Sequence, residues 1–346
     1  MYSLVRPWLF KLDPETAHHF TLQLIHLGGF PPINFLLKAV YSAPGRPVEA
    51  FGLRFPNPIG LAAGYDKDGF AWRGLAALGF GHIEIGTVTP LPQPGNPKPR
   101  VFRLVEDQAV INRMGFPGKG SQIVAKRLRR SAASPREHPQ KNGQVVVGVN
   151  LGKNRDTLLE NAASDYIKLM RQFTPFADYL VINVSSPNTA GLRRLQGRKM
   201  LAGLLESIAR ERETIALGRG GSIPILVKLA PDLSDEELDD ALEVILRTGM
   251  DGVIATNTTL RREGLQSRQG EQQGGLSGAP LRHQSMAVLI KIVKKLQGSL
   301  PVISVGGIMI PEDARARLDA GATLVQVFTG LVYSGPGLVK QILLSL

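Results

Sequence analysis

The chain has 346 residues and contains no cysteine. Disulfides, thiolate metal sites and a cysteine nucleophile or base are therefore excluded, and the redox compartment stays undetermined. Any catalytic role that cysteine often fills must belong to another residue type. The six histidines show no ligand spacing at a common strand end, so we expect no metal centre.

Long apolar runs and acidic residues are also scarce. No segment approaches the roughly 20 consecutive apolar residues that cross a bilayer, and no signal-peptide pattern opens the chain. The formal charge of +12 suits nucleic acid, an anionic membrane surface or an acidic substrate. Aromatic residues, at 6%, do not interleave with the basic run at 126–130. We interpret that run as a solvated helix face and expect no nucleic-acid partner.

Residues 1–45 differ in pattern from the rest and predict two or three amphipathic helices. One begins at Asp13-Pro14-Glu15, with an N-cap, an N1 proline and an acidic first turn, and Gly28-Gly29 ends it. Another covers 33–40. Their apolar and basic residues suit a membrane interface, although a helical cap packed on the main domain explains them equally well. We predict an N-terminal helical domain at 1–45 and a catalytic domain at 46–346.

From residue 57 onward, short apolar runs alternate with helix-like segments. Eight runs have small or polar residues at or next to their C-terminal ends: 59–63, 82–88, 145–151, 179–184, 225–229, 252–256, 302–305 and 324–328. Near-continuous apolar strands alternating with helices predict an α/β fold, a closed (β/α)8 TIM barrel, with an open doubly wound sheet as the alternative. Two further extended segments, 51–55 and 101–105, fit no barrel position, and we expect them in small sheets at a rim.

In such a barrel the active site lies at the C-terminal ends of the strands. The segment 182–189, INVSSPNT, places Asn183, Ser186 and Asn188 at one of those ends. Amides that both donate and accept suit a planar imide or amide ligand better than a metal. An Asx or Ser turn that closes a βα loop is the alternative explanation.

The last two strand ends favour an anion. Gly306-Gly307 and Thr329-Gly330 follow the seventh and eighth runs, where barrels often bind phosphate through backbone N–H groups. Lys228 lies in an apolar strand, where an unpaired charge is costly. A reduced flavin, negative near N1, would be a suitable partner. Pairing with a neighbouring Asp or Glu is the alternative.

Five segments together resemble those of the class 2, quinone-dependent dihydroorotate dehydrogenases. They are 60–69 (GLAAGYDKDG), 83–90 (IEIGTVTP), 112–116 (NRMGF), 183–189 (NVSSPNT) and 254–259 (IATNTT). The resemblance covers essentially the whole chain. It implies an FMN-containing barrel that oxidises dihydroorotate to orotate in pyrimidine biosynthesis and passes electrons to a membrane quinone. It also implies that the N-terminal extension docks on the membrane and admits the quinone.

By this resemblance, Ser186 is the base that removes the C5 proton of dihydroorotate while hydride leaves C6. The related soluble class uses a cysteine there, and this chain has none. An unactivated serine needs a proton relay, for which Thr189 and the peptide around Phe116 are candidates. The implied substrate-binding residues are Lys67, Asn112, Arg113, Met114, Gly115, Phe116, Asn183, Asn188, Asn257 and Thr258. The implied FMN-binding residues are Ala63, Gly64, Tyr65, Asp66, Lys67, Thr87, Asn150, Asn183, Lys228, Thr256, Gly278, Gly307, Phe328 and Thr329.

Three features depart from the family pattern. Tyr65 stands where we expect an apolar residue, Thr329 where we expect serine, and 131–143 is a longer, polar loop. None of these departures falls on the predicted base or on the predicted substrate-binding asparagines.

Rival functions come from other classes. A dihydrouridine synthase-like enzyme would explain the charge but typically needs a cysteine acid, and a non-redox phosphate-binding barrel would not explain the asparagines. A membrane-surface adaptor would explain only the N-terminus.

We expect a monomer at an anionic membrane surface, peripheral on the cytoplasmic side of a bacterial inner membrane.

Overall fold

The computed structural model describes residues 2–131, 144–217 and 222–346. Beyond Ser131, the polar loop expected at 131–143 lies outside the described residues. The strands of the described part are β1 (Val48–Ala50), β2 (Leu53–Phe55), β3 (Ile59–Leu61), β4 (His82–Val88), β5 (Val101–Leu104), β6 (Ala109–Asn112), β7 (Val146–Leu151), β8 (Tyr179–Asn183), β9 (Ile225–Leu229), β10 (Gly252–Ala255), β11 (Gly275–Gly278), β12 (Val302–Val305) and β13 (Leu324–Val327).

The helices of the described part surround these strands and begin and end as follows. They are α1 (Tyr2–Lys11), α2 (Pro14–Leu27), α3 (Ile33–Tyr41), α4 (Trp72–Ala76), α5 (Ser121–Ser131), α6 (Ala162–Phe173), α7 (Arg198–Leu217), α8 (Asp235–Arg247), α9 (Arg282–Leu296), α10 (Pro311–Asp319), α11 (Thr329–Ser334) and α12 (Leu338–Ser345).

Eight parallel strands close into a barrel in the order β3-β4-β7-β8-β9-β10-β12-β13. The closing pair is β13 with β3, in which Val325 lies beside Ile59. This pairing confirms the predicted (β/α)8 barrel and rules out an open sheet. Each predicted apolar run coincides with a barrel strand to within two residues.

The barrel strands are buried on both faces, which explains their continuous hydrophobicity. Alternate side chains such as Leu226, Ile254 and Ile303 cluster with Phe55, while Val227 and Val253 belong to a separate cluster shared with the helices. A barrel interior filled by side chains and an outer layer covered by helices produce these two clusters.

Two small sheets lie outside the barrel, as expected for 51–55 and 101–105. The β1–β2 hairpin packs Phe51 against the first residue of β10 and Phe55 against His82, at the N-terminal ends of the strands. Strands β5, β6 and β11 form an antiparallel sheet in which Asn112 pairs with Gly275. This sheet brings Asn112 to the opposite end of the barrel. Strands β6 and β11 were not predicted from the sequence.

The N-terminal helices α1, α2 and α3 form where the pattern predicted them. Asp13 caps α2 by accepting hydrogen bonds from the backbone N–H groups of Glu15 at 3.1 Å and Thr16 at 2.9 Å. Arg100 then fastens α2 to the barrel through a 2.7 Å ion pair with Glu15. Within residues 2–131, 144–217 and 222–346, no helix combines the length and the apolarity needed to cross a membrane.

Candidate active site

A cavity of about 580 Å³ lies at the C-terminal ends of the barrel strands and extends to α1 and α2. Ser186 lines it together with most of the predicted binding residues. From the substrate set, the lining includes Lys67, Asn112, Met114, Gly115, Phe116, Asn183, Asn188, Asn257 and Thr258. From the cofactor set, it includes Ala63, Gly64, Tyr65, Lys67, Thr87, Asn183, Lys228, Thr256, Gly278, Gly307, Phe328 and Thr329. The fold thus gathers residues from nine separate strand ends and loops into one cavity.

Three of the predicted binding residues do not line this cavity, and the relay candidate Thr189 does not line it either. Arg113 donates hydrogen bonds to the side chain of Gln272 and to the Pro99 carbonyl. Asp66 is buried and accepts from the backbone N–H groups after it, at residues 70 and 71. Asn150 is fully buried and forms hydrogen bonds with Glu84, Thr87 and Asn183. The side chains of Arg113 and Asp66 therefore organise loops, and their assignment as binding residues stays a prediction.

Asn183, at the end of β8, is the centre of a buried amide network. Its Nδ2 donates to Thr87 Oγ1 at 2.9 Å and to Asn150 Oδ1 at 3.0 Å. Its Oδ1 accepts from the backbone N–H and the hydroxyl of Ser185. Because both ends of the amide are engaged, the orientation of Asn183 is fixed.

The loop after β8 places Ser186 beside the other amides. Ser186 is buried, and its Oγ accepts from the backbone N–H of Asn188 at 3.3 Å. Asn188 Nδ2 donates to Asn112 Oδ1 at 3.1 Å, and Asn257 Nδ2 donates to Ser185 Oγ at 3.0 Å. Residues from β6, β8 and the loop after β10 therefore face one another around the serine.

Thr189 belongs to the same loop and is also buried. Within the described part of the chain, its hydroxyl has no hydrogen-bond partner. Leaving a buried hydroxyl unpaired costs roughly 1–3 kcal/mol in proteins, so such a group is an exception with a cause to find. Thr189 therefore offers an unused donor and acceptor in the loop that also carries Ser186.

The cavity floor is a buried ion pair. Lys228 Nζ lies 3.1 Å from Glu84 Oε1, and Glu84 also accepts from Asn150 Nδ2 and Gln326 Nε2, each at 2.7 Å. Lys228 is thus paired with a neighbouring carboxylate, the alternative that the sequence left open, and it also lines the cavity. Glu84 and Gln326 were not among the residues predicted from the sequence. A charged residue inside the apolar strand β4 was the signal that could have found Glu84.

The loops after β12 and β13 have the properties of a phosphate cradle. Gly306 and Gly307 have φ values of +113° and +71°, which L side chains rarely adopt. Thr329 Oγ1 lies 2.8 Å from Ser277 Oγ. Beneath this cradle the buried guanidinium of Arg317 donates to the Gly306 carbonyl at 2.6 Å. Burial lowers the pKa of Arg317 to about 10, so it stays charged at neutral pH.

These features suit a ligand that carries an anionic group such as a phosphate. At Gly64, which has a φ of +100°, an added Cβ would meet only the ring of Phe328, at 3.4 Å, so that glycine keeps the cavity open beside the aromatic ring. The cavity is lined by the polar residues Thr87, Asn183 and Lys228 and by the cradle glycines Gly306 and Gly307. Among the described residues, no group of three or more His, Asp or Glu could hold a metal ion.

Lys67 is half-buried in the loop after β3, and its ammonium donates a hydrogen bond to the Gly64 carbonyl at 2.7 Å. Burial lowers its pKa to about 8. An ammonium that is partly stripped of water suits an anionic ligand, which would supply the missing counter-charge.

The cavity continues as an apolar passage between the barrel and the N-terminal helices. Tyr65 separates the two parts, with its ring 5.7 Å from that of Phe328 and 4.9 Å from that of His18. Burial lowers the pKa of His18 to about 3, so its imidazole is neutral. The lining of this passage from the N-terminal helices includes Tyr2, Val5, Leu9, Phe10, Pro14, Ala17, His18, Thr21, Leu24 and Ile25.

Comparison with known proteins finds one family repeatedly. The family model described as dihydroorotate dehydrogenase matches residues 47–346. A protein from Acidithiobacillus ferrooxidans named dihydroorotate dehydrogenase (quinone) is 51% identical, over 99% of this chain and 93% of its own. A protein of the same name from Idiomarina loihiensis is 46% identical, over 99% of each chain.

Solved structures lead to the same group. The crystal structure of DHODH from Eimeria tenella in complex with ferulenol superposes with a TM-score of 0.86 at 40% identity, covering 95% of this chain and 89% of that one. The ligand-free structure from the same organism has a TM-score of 0.85 at 41% identity, with 95% and 93% covered.

Proposed function

Because the chain belongs to the dihydroorotate dehydrogenase family, we propose that FMN is the flavin of this quinone-dependent enzyme and that Ser186 is its catalytic base. The reaction is the oxidation of dihydroorotate to orotate in pyrimidine biosynthesis. The single observation that carries the residue assignment is the cavity itself, in which Ser186 and the amides Asn112, Asn188 and Asn257 face one another. The dihydrouridine synthase-like and non-redox alternatives lack this support.

Two groups of residues that line the cavity support FMN as the flavin. Bound there, the flavin would accept the hydride that leaves C6 of the substrate. The cradle of Gly306 and Gly307, with the hydroxyl of Thr329, would hold the phosphate, and Arg317 would add positive charge beneath it. Lys228 and Asn150, fixed by Glu84, would lie beneath the ring system.

Dihydroorotate presents ring amides and a carboxylate, which require different partners. The asparagines can donate to its carbonyls and accept from its N–H groups. Lys67 supplies the positive charge that a carboxylate requires. These contacts orient the substrate with C5 toward Ser186, and orientation of this kind supplies much of an enzyme's rate enhancement.

Ser186 would take the C5 proton, and Thr189 would receive it next. Both hydroxyls are buried in one loop, which shields the proton transfer from bulk water. This relay is a hypothesis that rests on the free hydroxyl of Thr189. A serine base of ordinary pKa requires such a relay because its alkoxide does not accumulate.

The experiment is anaerobic stopped flow. Purified protein should be yellow, and dihydroorotate should bleach the flavin absorbance; a ubiquinone analogue should then restore the colour while fumarate should not. Ser186→Ala should slow bleaching by about 10²–10⁴-fold, and Ser186→Cys should retain more of the rate. An unchanged rate in Ser186→Ala would contradict the assignment of the base.

We also propose a function for residues 1–45. These residues would be a membrane-association domain that admits the quinone, and 46–346 would be the catalytic domain. In support, Trp8 and Phe35 are each 69% exposed on the helices that border the apolar passage. Helices that present aromatic and basic residues bind anionic lipid surfaces without crossing them. The enzyme would then be a monomer, peripheral on the cytoplasmic side of the inner membrane.

Vesicle binding tests this domain. Trp8→Ser and Phe35→Ser together should reduce co-sedimentation with anionic phospholipid vesicles and should leave flavin reduction unchanged. Leu217→Ser is the matched control, because Leu217 is 90% exposed at the end of α7. Equal loss of binding in the control and in the double variant would contradict the proposal.

A further inference from the structure

Arg193 connects three consecutive strand-end loops around the active site. It lies in the short 3₁₀ helix Leu192–Gln196, after β8. Its Nε donates to the Ser185 carbonyl at 3.0 Å, and one terminal nitrogen donates to the Thr258 carbonyl at 2.8 Å. The other terminal nitrogen donates to Asp232 Oδ2 at 2.7 Å. The guanidinium therefore meets the loop after β8, the loop after β9 and the loop after β10 at once.

Asp232 is itself held on several sides. It accepts hydrogen bonds from the Thr259 hydroxyl, from Leu260 N at 3.1 Å and from Gln284 Nε2 at 3.0 Å. Partial burial raises its pKa, but the hydrogen bonds from Thr259, Gln284 and Arg193 outweigh that effect and keep the pKa below its usual value. Asp232 is thus a charged anchor that ties α9 and the loop after β10 to Arg193.

The two carbonyls that Arg193 binds lie next to functional groups. The Ser185 carbonyl belongs to the peptide bond that leads into Ser186, the proposed base. The Thr258 carbonyl belongs to the loop that carries Asn257 and Thr258, two of the predicted substrate contacts. A guanidinium is planar and has its donors in a fixed fork, so the three bonds fix distances between the loops that a flexible ammonium would not.

We propose that Arg193, anchored by Asp232, is a positioning residue that holds the base and the substrate amides in one geometry. This inference rests on the function proposed above. Arg193 does not line the cavity, and it acts through the Ser185 and Thr258 backbone. Displacement of a reacting group by about 1 Å can cost on the order of 10²-fold in rate.

The test compares Arg193→Lys, Arg193→Gln and Asp232→Asn with Arg198→Gln. Arg198 is a matched control because it also pairs with carboxylates, Asp240 and Glu243, but lies 47% exposed on the outer surface. Flavin reduction by dihydroorotate should fall on the order of 10²-fold in Arg193→Lys. Reoxidation by quinone and the flavin content should stay at the wild-type level in both Arg193→Lys and Arg198→Gln.

Isotope effects separate positioning from a general loss of structure. With dihydroorotate deuterated at C5 or at C6, Arg193→Lys should raise the C5 effect relative to the C6 effect, because misplacement of Ser186 slows proton removal specifically. Asp232→Asn should shift the ratio in the same direction with a smaller rate loss. An unchanged ratio, or a slower quinone reoxidation of the same size, would overturn the proposal.

The remaining outcomes are also decisive. If Arg193→Lys is isolated without flavin, the ratio of the C5 to the C6 isotope effect in Asp232→Asn alone decides whether the positioning role is correct. If the wild-type flavin is not bleached by dihydroorotate, the proposed function fails. If the wild type is bleached and Ser186→Ala is slow while Arg193→Lys behaves like the wild type, the positioning role alone is wrong.

Discussion

Replacing Glu84 by glutamine would remove the negative charge that faces Lys228 beneath the cavity. Both residues are buried, at 0% and 4% exposure, and their charged atoms lie 3.1 Å apart. The variant keeps the size of the side chain and one acceptor oxygen. Its main effect would be to leave the lysine without a counter-charge inside the barrel.

The expected cost follows from this geometry. At 3.1 Å and an effective dielectric constant of about 20, two opposite charges attract by roughly 5 kcal/mol. Removing one partner of a buried pair typically costs about 3–5 kcal/mol. Glu84→Gln should therefore lower the free energy of unfolding by about 3–5 kcal/mol, and Lys228→Met should have a similar effect.

The assay is denaturant unfolding of Glu84→Gln, Lys228→Met and the double variant at one fixed flavin concentration, because bound flavin adds to the apparent stability. The double variant should recover much of the loss, since a buried pair replaced by groups of similar volume is often neutral. Asp240→Asn, in an exposed pair, is the control and should change little. A loss below about 1 kcal/mol in Glu84→Gln, or full additivity of the two single variants, would refute the reasoning.

Three further predictions concern substrate, quinone and cofactor. Lys67 has a pKa of about 8 and is protonated below that pH, so the affinity for the anionic substrate should be highest below pH 8 and should decrease as the pH rises through this value. In a profile of kcat/KM against pH, Lys67→Met should not show this decrease at alkaline pH. Glu15→Gln should loosen α2 from Arg100 and slow quinone turnover, measured beside an unchanged rate of flavin reduction; equal loss of both would contradict this. Arg317→Gln should weaken FMN binding more than riboflavin binding in equilibrium titration, because only FMN carries the phosphate. An equal effect on both ligands would contradict a role of Arg317 in phosphate binding.

Several features of this protein were determined by local sequence. Strands such as β9 and β12 are short apolar runs because they are covered on both faces, and that burial is visible as continuous hydrophobicity. The start of α2 at Pro14 depends on Asp13, which acts within one turn. The segments that carry Ser186 and the asparagines were recognisable because they follow strand ends, where a barrel places its chemistry.

Tertiary structure decided the features that depend on residues distant in the chain. Glu84 and Lys228, 144 positions apart, became an ion pair only when β4 and β9 closed into one barrel. Arg193 reaches Thr258 across 65 positions. The passage beneath α1 and α2 depends on long-range contacts such as those of Arg100 and Arg103, which hold these helices against the rest of the chain. Local propensity carries no information about such pairings, since their energy arises from burial and from charges brought together after the chain has closed on itself. The sequence determined which groups lie at the strand ends, and the closed barrel decided which of them meet.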